Sequence, residues 1–284
     1  MTRVAVATCE ALPESDVDFP AVQAALAARG VAAEPVVWSD PAADWAGYDL
    51  VVIRSTWDYI QRREEFLAWA GRLPRLANPA PVLRWNTDKR YLRRLADAGV
   101  PVVPTLWDPH DLPAGEGWEH YVIKPAVSAG AVDTARWGPG EEAAALAHLR
   151  SLTADGRTVM MQPYLSAIDT AGETALVFIG GEFSHAARKA PILTSSGPQT
   201  IDGPSDSAGR ITPAQPTTAE LAVAELALGV AGRDLLYARV DVVPGPDGEP
   251  VLLELELTEP ALFLRHAQGA ADRLAGAIAR HARQ

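Results

Sequence analysis

The 284-residue sequence predicts an α/β region at its N-terminus, followed by mixed α and β structure built around hairpins. Two observations lead to this. Over residues 3–53, short apolar runs alternate with a segment of helical spacing, the βαβ pattern of a parallel sheet with helices on its faces. Further on, two pairs of strand-like runs are joined by Gly- or Pro-rich turns, the pattern of antiparallel hairpins. The totals suit a globular chain of one large or two to three small domains: 48% hydrophobic and 21% charged residues. A formal net charge of −11 argues against a general nucleic-acid binder and gives no attraction to an anionic membrane. No apolar run reaches the ~18 residues of a membrane span, and the N-terminus lacks a signal-peptide layout. The single cysteine, Cys9, excludes an internal disulfide framework and fits a reducing cytoplasm.

In chain order, residues 3–8 read as a first strand. Pro20 to Arg29 reads as a helix stopped by Gly30, Val31 to Trp38 as a second strand, and Tyr48 to Ile53 as a third and buried one. The third strand runs into Arg54, Ser55, Thr56, Trp57 and Asp58. Open α/β sheets bind ligands beyond the carboxyl ends of their strands, so these five are candidates for holding a small polar substrate. They also read as a helix start, with Ser55 or Thr56 as N-cap of a helix through Trp69 and Asp58 at its positive end. The two readings are compatible and both stay open. Asn78-Pro79-Ala80-Pro81 is a break, Thr87 to Ala98 a helix closed by Gly99, and residues 100–105 an extended segment.

Tyr121 to Pro125 is a strand ending in Lys124. The small residues 126–131 that follow let backbone N–H groups approach an anion. Glu141 to Thr153 is an amphipathic helix, and Val159 to Leu165 a strand whose ladder stops at Pro163. Residues 174–179 and 182–189 form a hairpin through Gly180-Gly181, with His185 and Lys189 on one face and Arg188 on the other. Residues 190–215 have no period and read as a lid. Thr218 to Gly229 is a helix, and Ala261 to Arg283 a closing helix interrupted near Gly269.

The second hairpin pairs Leu235 to Val243 with Val251 to Leu257. The side-chain period of a strand puts Arg239 and Asp241 on one face of its first strand, and Glu254 and Glu256 on one face of its second. Val251, Leu253, Leu255 and Leu257 fall on the opposite, core face. Carboxylates crowded together repel unless a cation joins them, and hard oxygen ligands suit Mg²⁺ or Mn²⁺. An edge hairpin with a solvated acidic face fits the same spacing. Of the 25 basic residues 22 are Arg; the three lysines, Lys89, Lys124 and Lys189, fit places where a compact ammonium is wanted and a planar guanidinium would not fit, and with so few, chance placement stays open for each.

The order of these pieces resembles the ATP-grasp superfamily of carboxylate–amine ligases over nearly the whole chain. The resemblance implies an N-terminal parallel-sheet (pre-ATP-grasp) domain over residues 1–84. Two α+β ATP-grasp subdomains would follow, over 85–160 and 161–284. It implies that Lys89 and Lys124 touch the phosphates of ATP, that the loop with Ser128 and Gly130 closes over them, and that the hinge Gln162, Pro163, Tyr164 and Leu165 meets adenine. Glu173 would face the nucleotide. Asp241, Glu254 and Glu256 would hold Mg²⁺, or Mn²⁺, with Glu256 where the superfamily commonly has Asn. Arg239 would stabilise the tetrahedral intermediate, with Lys189 and Arg188 near the nucleotide or the substrate carboxylate. All three lysines fall on motif positions.

The stretches 54–59, 85–89 and 254–257 are similar to a glutathione-synthetase-like bacterial group that includes an O-ureidoserine cyclo-ligase. The implied reaction is ATP-dependent C–N bond formation through an acyl phosphate on a small amino-acid-like substrate, by ring closure within one molecule or by joining two. A non-catalytic nucleotide-binding module is the reading from another class; intact Lys89, Lys124, Arg239, Asp241 and Glu254 argue against it. No nucleic-acid or membrane partner is expected, and a homodimer is left open.

Overall fold

The computed structural model describes residues 1–193, 195–198, 210–232 and 234–284. Strands β1 (Thr2–Thr8), β2 (Val31–Val37), β3 (Leu50–Ser55) and β4 (Leu76–Ala77) form a parallel sheet in the order β2-β1-β3-β4. Its central strands are apolar throughout because both faces are covered. Val4, Val6, Leu50 and Val52 pack toward helix α1 (Phe19–Ala27), while Ala5, Ala7, Val51 and Ile53 pack toward helix α2 (Arg63–Ala70). The helix expected directly after β3 starts later: Trp57–Gln61 is a 3₁₀ turn, and Thr56 caps nothing with its side chain.

The expected helix Thr87 to Ala98 is shortened to Tyr91–Asp97 (α4), and an unexpected helix, α3 (Ala80–Asn86), starts within the stretch read as a break. Pro81 sits in the first turn of α3, where its fixed φ suits a helix start and its missing N–H costs nothing. The turn between α3 and α4 holds Lys89, whose N–H donates to the Ala126 carbonyl.

Strands β5 (Leu106–Trp107), β6 (Tyr121–Pro125), β7 (Ala135–Trp137), β8 (Val159–Pro163) and β11 (Gly197–Pro198) make one antiparallel sheet, order β11-β7-β6-β8-β5. Helix α5 (Glu142–Ala154) covers it through Ala145, Leu149 and Leu152. The short helix α6 (Ile168–Ala171) follows β8. The other antiparallel sheet holds β9 (Glu173–Ile179), β10 (Glu182–Lys189), β12 (Ile211–Ala214), β13 (Tyr237–Pro244) and β14 (Pro250–Glu256), order β12-β10-β9-β13-β14. Gly180 and Gly181, at φ +61° and +82°, close the β9–β10 hairpin in a conformation that glycine adopts without strain.

One face of this second sheet is buried by α4 and by α7 (Thr218–Ala231), whose start is fixed by a capping box between Thr217 and Glu220. On the other face, Val177, Ile179 and Tyr237 join the core of α1 and the closing helix α8 (Ala270–His281). The closing helix begins nine residues later than expected: residues 258–263 run without regular structure, Phe263 is left-handed at φ +51°, and Gly269 precedes α8 at φ +73°. Of the lid expected over 190–215, residues 194 and 199–209 lie outside the described residues. Among the described residues no helix is long and apolar enough to cross a membrane.

Candidate active site

The β13–β14 ladder sets Arg239 directly opposite Glu256, and Asp241 directly opposite Glu254. The β9–β10 ladder sets Glu173 opposite Lys189, and Asp241 is paired across to Ala175 of β9. Six charged side chains thereby share one face of four adjacent strands. The register shifts immediately after Asp241, because Leu253 is a bulged residue without a partner. The shift overturns part of the expected alternation. Leu252, not Leu253, joins Leu255 and Leu257 in the core, while Val251 and Leu253 turn to an apolar cluster with Val103, Leu165, Ile168 and Val243.

A 410 Å³ cavity lies between the two antiparallel sheets. Its apolar part is made by Val103, Val122, Leu165, Ile168 and Leu253. Lys89, Lys124, Lys189, Arg239, Glu173, Glu254 and Glu256 make its charged part, and Trp57, Tyr59, Glu259 and Ala261 also line it. Ser128, Gly130, Gln162, Pro163, Tyr164 and Leu165, singled out from the sequence, are in its wall.

Asp241 is fully buried beneath the cavity floor. Its Oδ1 accepts from Arg239 Nε at 2.9 Å, and its Oδ2 from Lys189 Nζ at 2.8 Å and Arg239 Nη2 at 2.9 Å. Burial alone would raise its pKa; the Arg239 and Lys189 charges outweigh that and hold it at about 2. Arg188 pairs across to Thr174, on the face of β10 away from Lys189, and does not line the cavity. Of residues 54–58, only Trp57 reaches the cavity. Arg54 is 6% exposed, paired with Asp16 at 2.9 Å and donating to the Pro260 carbonyl at 2.9 Å. The Ser55 hydroxyl bonds those of Thr8 and Ser15, the Thr56 hydroxyl is buried without a partner among the described residues, and Asp58 accepts from Trp38 Nε1 and Arg62.

The three lysines differ in what holds them. Lys89 donates to the Ser128 carbonyl at 2.8 Å and pairs with Glu254 at 3.0 Å. Lys189 pairs with Glu173 at 2.6 Å and Asp241 at 2.8 Å; burial would lower its pKa, but these two carboxylates raise it. Lys124 has no hydrogen bond or ion pair among the described residues, and burial lowers it to about 8 against the pull of Glu254. On the acid side, Lys89 and Lys124 overcome the burial of Glu254 and lower its pKa, whereas burial raises Glu256 to about 7 although Arg239 bonds it.

At the hinge, Pro163 has no N–H, the Tyr164 N–H donates to the His120 carbonyl, and the Gln162 side chain donates to Thr105. That leaves the Leu165 N–H, without an acceptor among the described residues, as the backbone donor beside the apolar part of the cavity. The apolar wall, this donor, the unpartnered Lys124 ammonium and the two carboxylates Glu254 and Glu256 fit an adenine nucleotide with its divalent cation. Among the described residues no group of three or more His, Cys, Asp or Glu is arranged to hold a metal as the protein stands, because Asp241 is engaged by cations. Sequence reasoning missed the apolar wall, since Val103, Ile168 and Leu253 come from three separate segments, and it gave no role to Tyr59 or Glu259.

Two antiparallel sheets clasping such a cleft, with a parallel-sheet domain before them, define an ATP-grasp ligase. Residues 4–78 match the family described as the N-terminal domain of D-cycloserine synthetase DcsG. The chain is 37% identical over 281 residues to the cycloserine biosynthesis protein DcsG of Streptomyces lavendulae, covering 93% of each. It is similar to the crystal structure of D-cycloserine synthetase DcsG at a TM-score of 0.89 and 34% identity, over 99% of both chains. A RimK-domain ATP-grasp protein from Sphaerobacter thermophilus DSM 20745 shares the fold at a TM-score of 0.70 and 20% identity, over 99% of both chains. The chain belongs to the DcsG family of ATP-grasp ligases, enzymes that form C–N bonds. The expected fold and enzyme class are met.

Proposed function

We propose that this ligase activates the carboxylate of a small amino-acid-like substrate with Mg·ATP and closes a ring within that molecule, O-ureido-D-serine giving D-cycloserine. The observation that supports the ATP part is Lys124: a half-buried ammonium without a hydrogen bond or ion pair among the described residues, beside a backbone donor and an apolar compartment, suits a phosphate. The relationship to DcsG over nearly the full chain supports the substrate.

In this reaction the substrate carboxylate takes the γ-phosphoryl group of ATP and ADP leaves. The N–O nitrogen of the same molecule then attacks the acyl carbon, loses its proton, and phosphate departs; the carbamoyl group on that nitrogen is lost to water as carbon dioxide and ammonia. Lys89 and Lys124 hold the phosphates and offset their charge, and the Leu165 N–H with the apolar wall orients the base. Asp241, Glu254 and Glu256 are the residues that would hold Mg²⁺. Bound Mg²⁺ supplies charge neutralisation at the phosphates. Arg239, pinned by Asp241 and the Ala261 carbonyl, donates to the oxyanion that develops at the acyl carbon.

The test is ADP release with O-ureido-D-serine, followed by the product mass. The expected product has the mass of D-cycloserine. A mass equal to two joined substrates less water would replace ring closure by intermolecular ligation, and no ADP release would remove the substrate assignment.

A further inference from the structure

Residues 258–262 leave β14 without regular structure, so their carbonyls need partners outside any ladder. Each of the five accepts from a side chain. Thr258 accepts from Tyr237 Oη at 2.9 Å, Glu259 from Trp57 Nε1 at 3.1 Å, Pro260 from Arg54 Nη1 at 2.9 Å, and Ala261 from Arg239 Nη1 at 3.0 Å. Leu262 accepts from His185 Nε2 at 2.8 Å in the tautomer that protonates that nitrogen. The single Tyr237 proton is shared with the Ile53 carbonyl. These donors come from β3 and the turn after it, β10 and β13. Five fastenings on five successive residues fix the strap against both the parallel and the antiparallel sheet.

The strap carries Glu259 into the cavity, beside Trp57 and Tyr59. The other carboxylates in the cavity wall have cations: Glu173 has Lys189 at 2.6 Å, Glu254 has Lys89 at 3.0 Å, and Glu256 has Arg239. Glu259 forms no ion pair with any described residue; its carboxyl has a hydrogen bond from the Tyr59 hydroxyl, which leaves its charge unbalanced. Burial and the Glu256 charge push its carboxyl up to about 8. A buried acid without a counter-charge is costly unless a ligand brings one. Aromatic walls at Trp57 and Tyr59 favour a compact organic cation over a hydrated metal ion.

We propose that Glu259, held by the fastened strap 258–262, is the anchor for the ammonium group of the amino-acid substrate. The assignment rests on the amino-acid reading of the substrate given above and adds the residue that selects it. Arg54 and Trp57 are then positioning residues, acting on substrate through the Glu259 and Pro260 carbonyls.

The experiment compares calorimetric binding of O-ureido-D-serine and of its des-amino analogue, 3-(ureidooxy)propanoate, to the full chain with Mg²⁺ and a non-hydrolysable ATP analogue. Wild type is expected to bind the amine about 10- to 100-fold more tightly, the range of a charged hydrogen bond. Glu259→Gln should abolish that difference while leaving the affinity for the ATP analogue unchanged, and Glu259→Asp should keep part of it. Retained discrimination in Glu259→Gln, or equal binding of the two compounds by wild type, would overturn the anchor. Discrimination without ADP release would uphold the anchor and overturn the proposed reaction; no binding of either compound would overturn both.

Discussion

Lys124 shows how a single side chain couples the cleft to pH. Burial lowers its pKa to about 8 because no carboxylate pairs with it directly. Below that pH it is an ammonium facing the cavity; above it, a neutral amine with nothing to offer a phosphate. A bound polyphosphate favours the charged form and raises the pKa. Affinity for a non-hydrolysable ATP analogue should therefore fall as pH rises through about 8, and binding near pH 8 should take up a proton. Calorimetry in buffers of different ionisation enthalpy reads the uptake directly. Lys124→Met should remove both the uptake and roughly 10- to 100-fold of the affinity; an unchanged pH profile in that variant would place the titrating group elsewhere. This residue was legible in the sequence because it ends a strand just before a run of small residues. Arg54 was legible as important but not in its role: its carbonyl partner, Pro260, lies 206 positions away. No local pattern shows such a pairing.

At the scale of elements, hairpins were the readable part and departures from their period were not. The facing of Arg239 and Asp241 by Glu256 and Glu254 follows from the alternation of two apolar strands. The Leu253 bulge breaks that alternation without any Gly or Pro to announce it, so the apolar wall of the cavity stayed hidden. Helix α3 was hidden for a related reason: the prolines of 79–81 mark a break and a helix start equally well. Gly172 tests how tightly these elements are joined. It leads into β9 at φ +68°, and a Cβ there would lie 2.5 Å from the Lys189 carbonyl oxygen. Gly172→Ala should thus cost about 1–3 kcal/mol from backbone strain, and more if β10 must move. Because β10 carries Lys189 against Asp241 and Glu173, nucleotide affinity should fall together with the urea midpoint. A variant of unchanged stability would show that this junction has room the packing denies it.

In the whole molecule, the parallel sheet and the second antiparallel sheet are not separable bodies. One core runs from Val4, Val6 and Val52 through Leu274 and Ile278 of α8 to Val177, Ile179 and Tyr237. Asn78, left-handed at φ +58°, ties the same junction with its side chain. Its Nδ2 donates to the Tyr237 and Leu257 carbonyls at 2.8 and 2.7 Å, and its Oδ1 accepts from the Leu236 N–H at 2.8 Å. Asn78→Ala leaves three buried backbone groups without partners, at about 1–3 kcal/mol each before relaxation. A net loss of roughly 3 kcal/mol or more is expected in urea unfolding. Because the core is shared, fluorescence and circular dichroism should still report one coincident transition. Two separated transitions would mean that the parallel sheet folds apart from the cleft. The same junction sets Trp57 and Arg54 against residues 259 and 260, so a loosened Asn78→Ala enzyme should raise KM for the amino-acid substrate more than KM for ATP. Equal rises would place the substrate contacts within the two antiparallel sheets alone.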